Sequence, residues 1–166
     1  MATKDNTELL ITWLKDVHAL ENTLANVLKN QGERAATFPE IQSRLYGHRE
    51  ESMRHANMVE SCITRLGGDT SEVRAGLSKA FGEAQSKMLG GFEDSIVRDA
   101  IMGSAAEQLE IASYKSIIAL AQKIGDGETV NICKQILEEE ENMLGFLEDN
   151  LTGLVQNSFE MELLTD

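Results

Sequence analysis

Apolar residues recur at steps of three and four along four long segments of the chain. In the first segment the apolar positions are Leu10, Leu14, Val17, Leu24 and Leu28. This spacing places the side chains on one face of an α-helix, which would pack against other helices. The pattern predicts four helices, which cover approximately residues 7–30, 39–66, 93–123 and 128–154.

Residues typical of helix ends agree with these bounds. Asp5 and Glu8 have the spacing of a capping box, and Pro39 suits the first turn of a helix. Glycines, which often terminate helices, follow the first three segments at Gly32, Gly67, Gly68 and Gly125.

A fifth stretch, over residues 71–89, has a weaker period and contains Gly76 and Gly82. We interpret it as a short extra helix within a long crossover between helices two and three. The sequence therefore predicts an all-α fold, a four-helix bundle formed by residues 1–155. An acidic C-terminal tail, residues 156–166, would be loose or docked on a partner subunit.

Composition narrows the choice of partners and compartment. A net charge of −13 repels nucleic acid and anionic lipid, so we expect neither partner. No apolar run approaches the roughly 20 residues of a membrane span, and the polar segment 1–8 does not resemble a secretory signal. Cys62 and Cys133 lack a metal-type spacing and are interpreted as reduced core residues of a cytoplasmic protein.

Acidic residues interrupt the apolar face near the middle of each predicted helix. A buried carboxylate costs several kcal/mol, on the order of 3 or more, unless a cation or hydrogen bonds compensate for it. Two divalent ions would compensate for several carboxylates at once. The candidate metal ligands, one set from each helix, are Glu21, Glu51 with His55, Glu107 with Glu110, and Glu140.

A single glutamate on a helix is usually solvated, but the coincidence of four mid-helix positions favours the metal site. Glu139, beside Glu140, points to another side of its helix and is predicted to be solvated. His55 is balanced between a metal ligand and a hydrogen-bonded core histidine. For His18 and His48 we favour hydrogen bonds that support a ligand, and for Tyr114 core packing with a bonded hydroxyl.

The order of these residues resembles the ferritin-like superfamily and, more narrowly, the YciE/YciF-type ferritin-like stress proteins. The resemblance covers most of residues 8–150. Its matching stretches are 14–24, 48–51, 97–100, 107–114 and 137–140, and the string Glu-Ile-Ala-Ser-Tyr at 110–114 is the most specific.

The resemblance implies a bundle that binds two metal ions, commonly iron, and often a dimer, with the six candidate ligands in the family's positions. The chain also departs from the pattern. His18 stands where the narrower family tends to have Tyr, and His55 where it often has Gln. Met143 replaces a histidine three residues after the helix-four glutamate, so the second metal is expected to be weakly bound or held by water.

The leading hypothesis is a cytoplasmic, homodimeric di-iron or dimanganese protein. Carboxylates of helices two and three would bridge the ions, which would react with dioxygen or peroxide in a ferroxidase- or peroxidase-like reaction during stress protection. The main alternative is a non-catalytic helical interaction or structural protein with a vestigial metal site. Oxidation of an organic substrate is a third hypothesis, and it predicts an apolar pocket or channel that reaches the site.

Overall fold

The protein folds into four long helices, and the predicted all-α four-helix bundle is confirmed. The computed structural model describes residues 4–70 and 96–163, together with Lys79, Gly82 and Glu83. The elements in chain order are α1 (Lys4–Arg34), a 3-10 turn (Ala35–Thr37), α2 (Pro39–Arg65), α3 (Ile96–Ile124) and α4 (Gly127–Leu163).

Each helix packs against two neighbours: α1 against α2 and α3, and α4 against α3 and α2. Contacts from Arg34 to Asp99 and from Tyr114 to Glu21 show that α1 and α3 are antiparallel. Every neighbouring pair is antiparallel, so α2 and α3 run in the same direction, an arrangement that requires a long crossover. The extra helix predicted over residues 71–89 lies outside the described residues, apart from the three named above.

Two helices extend beyond their predicted ends. α4 continues from Leu154 to Leu163, so most of the predicted acidic tail is helical; no proline follows to stop it, and Gly153 alone does not. α1 continues past Gly32 to Arg34. The glycine there serves packing, because a Cβ atom at Gly32 would lie 2.5 Å from Cε1 of Tyr46.

Two apolar clusters fill the bundle above and below a polar layer, and a small third cluster of Leu20, Leu24 and Ala106 joins α1 to α3. One cluster contains Leu10, Leu14, Val59, Tyr114 and Ile136, among others. The second contains Leu28, Leu45, Ala100, Met143 and Leu147, among others. The polar layer lies between them at mid-helix positions, so apolar side chains shield it from water along the bundle axis.

Cys62 and Cys133 are both free and fully buried in the first cluster, as the sequence predicts for core residues. Across the described residues, no helix carries an apolar stretch long enough to cross a bilayer.

Candidate metal centre

All four helices contribute ionisable side chains to the polar layer, and each of these side chains is at most 3% exposed. Mid-helix positions of packed helices share one level of a bundle, so residues far apart in sequence meet there. The ionisable members of the layer are Glu21, His48, His55, Glu107, Glu110 and Glu140.

Among the described residues, two groups of side chains could hold a metal ion, and the first consists of Glu21, His55 and Glu140. Nδ1 of His55 lies 2.8 Å from Oε1 of Glu140 and 3.4 Å from Oε1 of Glu21. These contacts lack the alignment of a hydrogen bond, so Nδ1 of His55 has no hydrogen-bond partner. Oε1 of Glu21 accepts a hydrogen bond of 2.6 Å from the hydroxyl of Tyr114. The bonded core tyrosine predicted from the sequence is therefore confirmed.

The second group consists of His48, Glu107 and Glu140. Nε2 of His48 forms a hydrogen bond of 3.1 Å with Oε1 of Glu107 and lies 3.4 Å from Oε2 of Glu140. Glu140 therefore belongs to both groups, with one oxygen facing each histidine. Glu140 would therefore be able to contribute a donor oxygen to a metal held at either imidazole.

Several carboxylate oxygens in the layer lack any hydrogen-bond partner. Both oxygens of Glu110, both of Glu140 and one each of Glu21 and Glu107 are buried and unbonded. Buried polar atoms are ordinarily satisfied, so this concentration is the strongest sign that the layer accommodates something besides protein. Oxygen atoms with free lone pairs, joined by two imidazoles, are donors that suit iron or manganese.

Glu51, predicted as a ligand, lies at the edge of the layer, with its side chain 26% exposed. Its Oε2 accepts hydrogen bonds from Nδ1 of His48 at 2.8 Å and from Nη1 of Arg44 at 3.0 Å. Ser52 takes the adjacent interior position on α2 and is fully buried, with an unbonded hydroxyl. His48 and Ser52, rather than Glu51, therefore face the interior at this turn of α2.

Glu139 has the corresponding position beside the other histidine. Its Oε2 lies 2.6 Å from Nε2 of His55 and also forms an ion pair with Arg54, and its side chain is 35% exposed. The sequence predicts a solvated Glu139, and the structure corrects this. No pattern within α4 signals this contact, because it depends on where His55 of α2 packs against α4.

The charges of the carboxylates change the protonation of both histidines. Burial alone would lower the pKa of His48, but hydrogen bonds to Glu107 and Glu51 outweigh it and raise the pKa to about 10. Burial would also lower the pKa of His55, but the contacts with Glu140 and Glu21 outweigh burial and raise the pKa to about 10. In the metal-free protein, protons on the two histidines therefore compensate for part of the negative charge of the layer.

The carboxylates of the layer differ in the direction in which their pKa values are shifted. Burial raises the pKa of Glu107 to about 8, and burial together with Glu21, Glu140 and Glu107 raises that of Glu110 well above its ordinary value. Burial would also raise the pKa of Glu140, but His55 and His48 hold it below its usual value. The shared carboxylate is therefore the member of the layer that is most readily ionised.

A small cavity reaches this layer between α1 and α3. It has a volume of about 10 Å³, room for one water molecule, and its walls include Leu24, Val27, Gly103, Ala106 and Glu107. A larger cavity of about 350 Å³ lies on the same seam, between Trp13 of α1 and Ser116 of α3, and none of the six layer residues lines it. His18 is partly exposed, and its Nε2 lies 3.4 Å from Nδ2 of Asn22.

Comparisons with known proteins agree with this architecture. The family model described as "Domain of unknown function (DUF892)" matches residues 5–160. Protein YciF of Escherichia coli K12 is 23% identical over 137 residues, which cover 80% of this chain and 82% of that protein.

Solved structures show the same bundle. A protein from Xanthomonas campestris superposes with a TM-score of 0.82 at 26% identity, over 96% of this chain and 99% of that one. A bacterioferritin from Desulfovibrio desulfuricans, described with a diiron site in different catalytic states, has a TM-score of 0.75 at 20% identity. It matches 97% of this chain and 88% of its own. The fold is therefore ferritin-like.

Proposed function

We propose that this chain, which belongs to the DUF892 family and to the YciF-type branch of the ferritin-like superfamily, is a two-metal carboxylate protein. Iron is the leading metal and manganese the alternative. The observation that carries the proposal is the position of Glu140, a fully buried carboxylate between two buried histidines, each with a further glutamate beside it.

Charge compensation supports the proposal. Four glutamates of the layer are buried, and most of their oxygens lack partners. Two divalent cations carry four positive charges, which would neutralise four carboxylates without requiring protons on the histidines.

The donor set assigns the residues to two positions. Glu21 and His55 would hold one ion, and His48 and Glu107 the other, with Glu140 between the ions. Glu110 would complete the coordination from α3. In this arrangement His48 on α2 supplies the second imidazole, which compensates for the methionine at position 143 of α4. Glu51 would act through His48, as the acceptor for its Nδ1.

Bound ferrous ions would supply electrons for reduction of dioxygen or peroxide, in a ferroxidase- or peroxidase-like reaction. The protein's own contributions are positioning and exclusion of water by the two apolar clusters. Glu107 lines a cavity of about 10 Å³, which is too small for an organic substrate, so the proposed oxidant is a small molecule.

One observation favours the alternative of a non-catalytic helical protein with a vestigial site. Both ring nitrogens of His48 are hydrogen-bonded to glutamates, and a protonated His48 compensates for part of the buried charge without metal. In that case the bundle would act through a partner or a second copy of itself.

Anaerobic titration with ferrous iron separates the two functions. We expect about two ions per chain, followed by a new near-ultraviolet absorption when the loaded protein meets air or peroxide. The variant E138A, which alters an exposed neighbour of Glu140, should behave like the parent. Absence of binding, with iron or manganese, would favour the structural alternative.

If the protein binds metal but shows no spectral response to dioxygen or peroxide, its function is metal binding, and the oxidative reaction is excluded. The cytoplasmic location, the role in stress protection and the homodimer belong to the same proposal. Sedimentation at equilibrium, with and without iron, tests the dimer directly.

A further inference from the structure

The two buried histidines are held by matching sets of contacts with opposite ring orientation. Each has one nitrogen toward the polar layer and the other toward a partly exposed glutamate. That outer glutamate is in turn bonded to an arginine: Arg44 for Glu51 and Arg54 for Glu139. The nitrogens are interchanged: His48 faces inward with Nε2 and His55 with Nδ1.

We propose that Glu51 and Glu139 are positioning residues that fix opposite tautomers of His48 and His55, so that one metal ion is bound through Nε2 and the other through Nδ1. This inference rests on the proposed metal site and goes further, because it names the ligating atoms and the residues that select them.

At His55 the contacts already distinguish the nitrogens. Nε2 has a hydrogen bond of 2.6 Å to Glu139, whereas Nδ1 has no aligned partner although two carboxylates lie near it. An ionised carboxylate only accepts hydrogen bonds, so the nitrogen facing Glu139 carries the proton. The lone pair of a neutral His55 then lies on Nδ1, toward Glu21 and Glu140.

At His48 both nitrogens are hydrogen-bonded, and the outer contact is the shorter: 2.8 Å to Glu51 against 3.1 Å to Glu107. Nη1 of Arg44 donates a hydrogen bond of 3.0 Å to the same Oε2 of Glu51, so the outer carboxylate has a cationic partner of its own. With a metal bound, His48 would give up the proton on its inner Nε2 and keep the proton on Nδ1, which faces Glu51. Carboxylates that orient a ligating imidazole in this way are common around protein metal ions.

Zinc is the probe, because it is diamagnetic and accepts the same nitrogen and oxygen donors. The full-length protein, labelled with nitrogen-15 in its histidine rings, would be examined by long-range proton–nitrogen correlation before and after zinc addition. The chain has three histidines, and His18 serves as the internal reference. We expect a metal-bound Nε2 and protonated Nδ1 for His48, and the reverse for His55.

The variant E139A, at a partly exposed position, should lose protection of the His55 Nε2 proton against exchange and bind zinc about ten- to a hundred-fold more weakly. The signals of His48 should remain unchanged, and E138A should match the parent in both respects. The same tautomer at both histidines would overturn the inference, as would identical behaviour of E139A and E138A. If zinc leaves the rings of His48 and His55 unchanged, the metal site itself fails, and the inference with it.

Discussion

The hydroxyl of Tyr114 on α3 donates a hydrogen bond of 2.6 Å to Oε1 of Glu21 on α1. Both side chains are fully buried, and the contact lies where the first apolar cluster meets the polar layer. Tyr114 therefore holds the α1 carboxylate at the level of Glu140, and it satisfies one of the two oxygens of Glu21.

Replacement of Tyr114 by Phe should destabilise the metal-free protein by about 1–2 kcal/mol, because it leaves a buried acceptor without a donor. Urea unfolding would measure the loss. Y46F is the matched control, since the chain's other tyrosine is 37% exposed. Metal stoichiometry should be retained, because a free oxygen of Glu21 can still bind a cation. An equal effect of the two substitutions would show that the hydroxyl of Tyr114 contributes nothing.

Two single substitutions test whether Glu140 is shared between the ions. Glu107 contacts only the His48 group, whereas Glu140 belongs to both groups. We expect E107A to reduce bound metal from two ions to one, and E140A to abolish tight binding. Metal analysis after equilibrium dialysis gives both stoichiometries.

Circular dichroism should show that both variants keep the helical bundle, because the apolar clusters on either side of the polar layer are unchanged. E138A again serves as the control for loss of a neighbouring exposed carboxylate. If E140A lost only one ion, the two groups would bind metal independently and Glu140 would not join them.

The positions of the site glutamates could be read from the sequence because each one replaces an apolar residue in a helical repeat. Glu21 follows Val17 and precedes Leu24 in such a repeat, and Glu140 lies between Ile136 and Leu147. These neighbours are buried in the structure, and the glutamates are buried with them. Where the apolar repeat is unambiguous, the pattern fixes the inward face.

On α2 the repeat is ambiguous, and the sequence did not distinguish His48, Glu51 and Ser52. Residues at these spacings differ by about one hundred degrees or less around a helix, so packing against α3 and α4 decides which one faces inward. The role of Glu139 depends on the position of α2 relative to α4, which no pattern within α4 reports. The extension of α4 to Leu163 also depends on tertiary packing. Burial of Leu154 stabilises a helix that Gly153 alone would weaken.

Replacement by alanine should have opposite effects on stability at Gly125, in the turn between α3 and α4, and at Gly145, within α4. Gly125 ends α3 with a φ of +82°, and Asp126 N donates to Ala121 O at 2.9 Å across the turn. G125A should cost about 1 kcal/mol, because a Cβ atom is strained in this conformation. Gly145 lies within α4, and a Cβ atom there meets nothing within 4 Å.

G145A should therefore stabilise the protein by about 0.5–1 kcal/mol, as alanine favours a helix more than glycine does. Thermal unfolding of the metal-free variants would compare the two substitutions directly. A stabilising G125A would mean that the turn does not need a left-handed residue.

The metal-free protein should lose stability as the pH rises, whereas the stabilisation that added metal provides should grow. The pKa values of His48 and His55 are raised to about 10 by their glutamate partners against burial, and burial raises that of Glu107 to about 8. Each of these groups holds its proton more tightly when folded. The stability it contributes is therefore complete below its ordinary pKa and is lost as the pH rises through the folded value.

For the histidines that window extends from the ordinary pKa of 6.5 to about 10. The melting temperature of the metal-free protein, measured with a chelator, should consequently fall as the pH rises across this window. Metal ions must displace the same protons, so the increase in melting temperature on adding zinc should grow from about pH 6 to pH 8. In a metal-free variant carrying both H48Q and H55Q, the melting temperature should fall much less over this pH range, because the two groups with raised histidine pKa values have been removed. A metal-free protein that became more stable above pH 6.5 would show that its histidines are neutral inside the bundle, contrary to the contacts with Glu107 and Glu140.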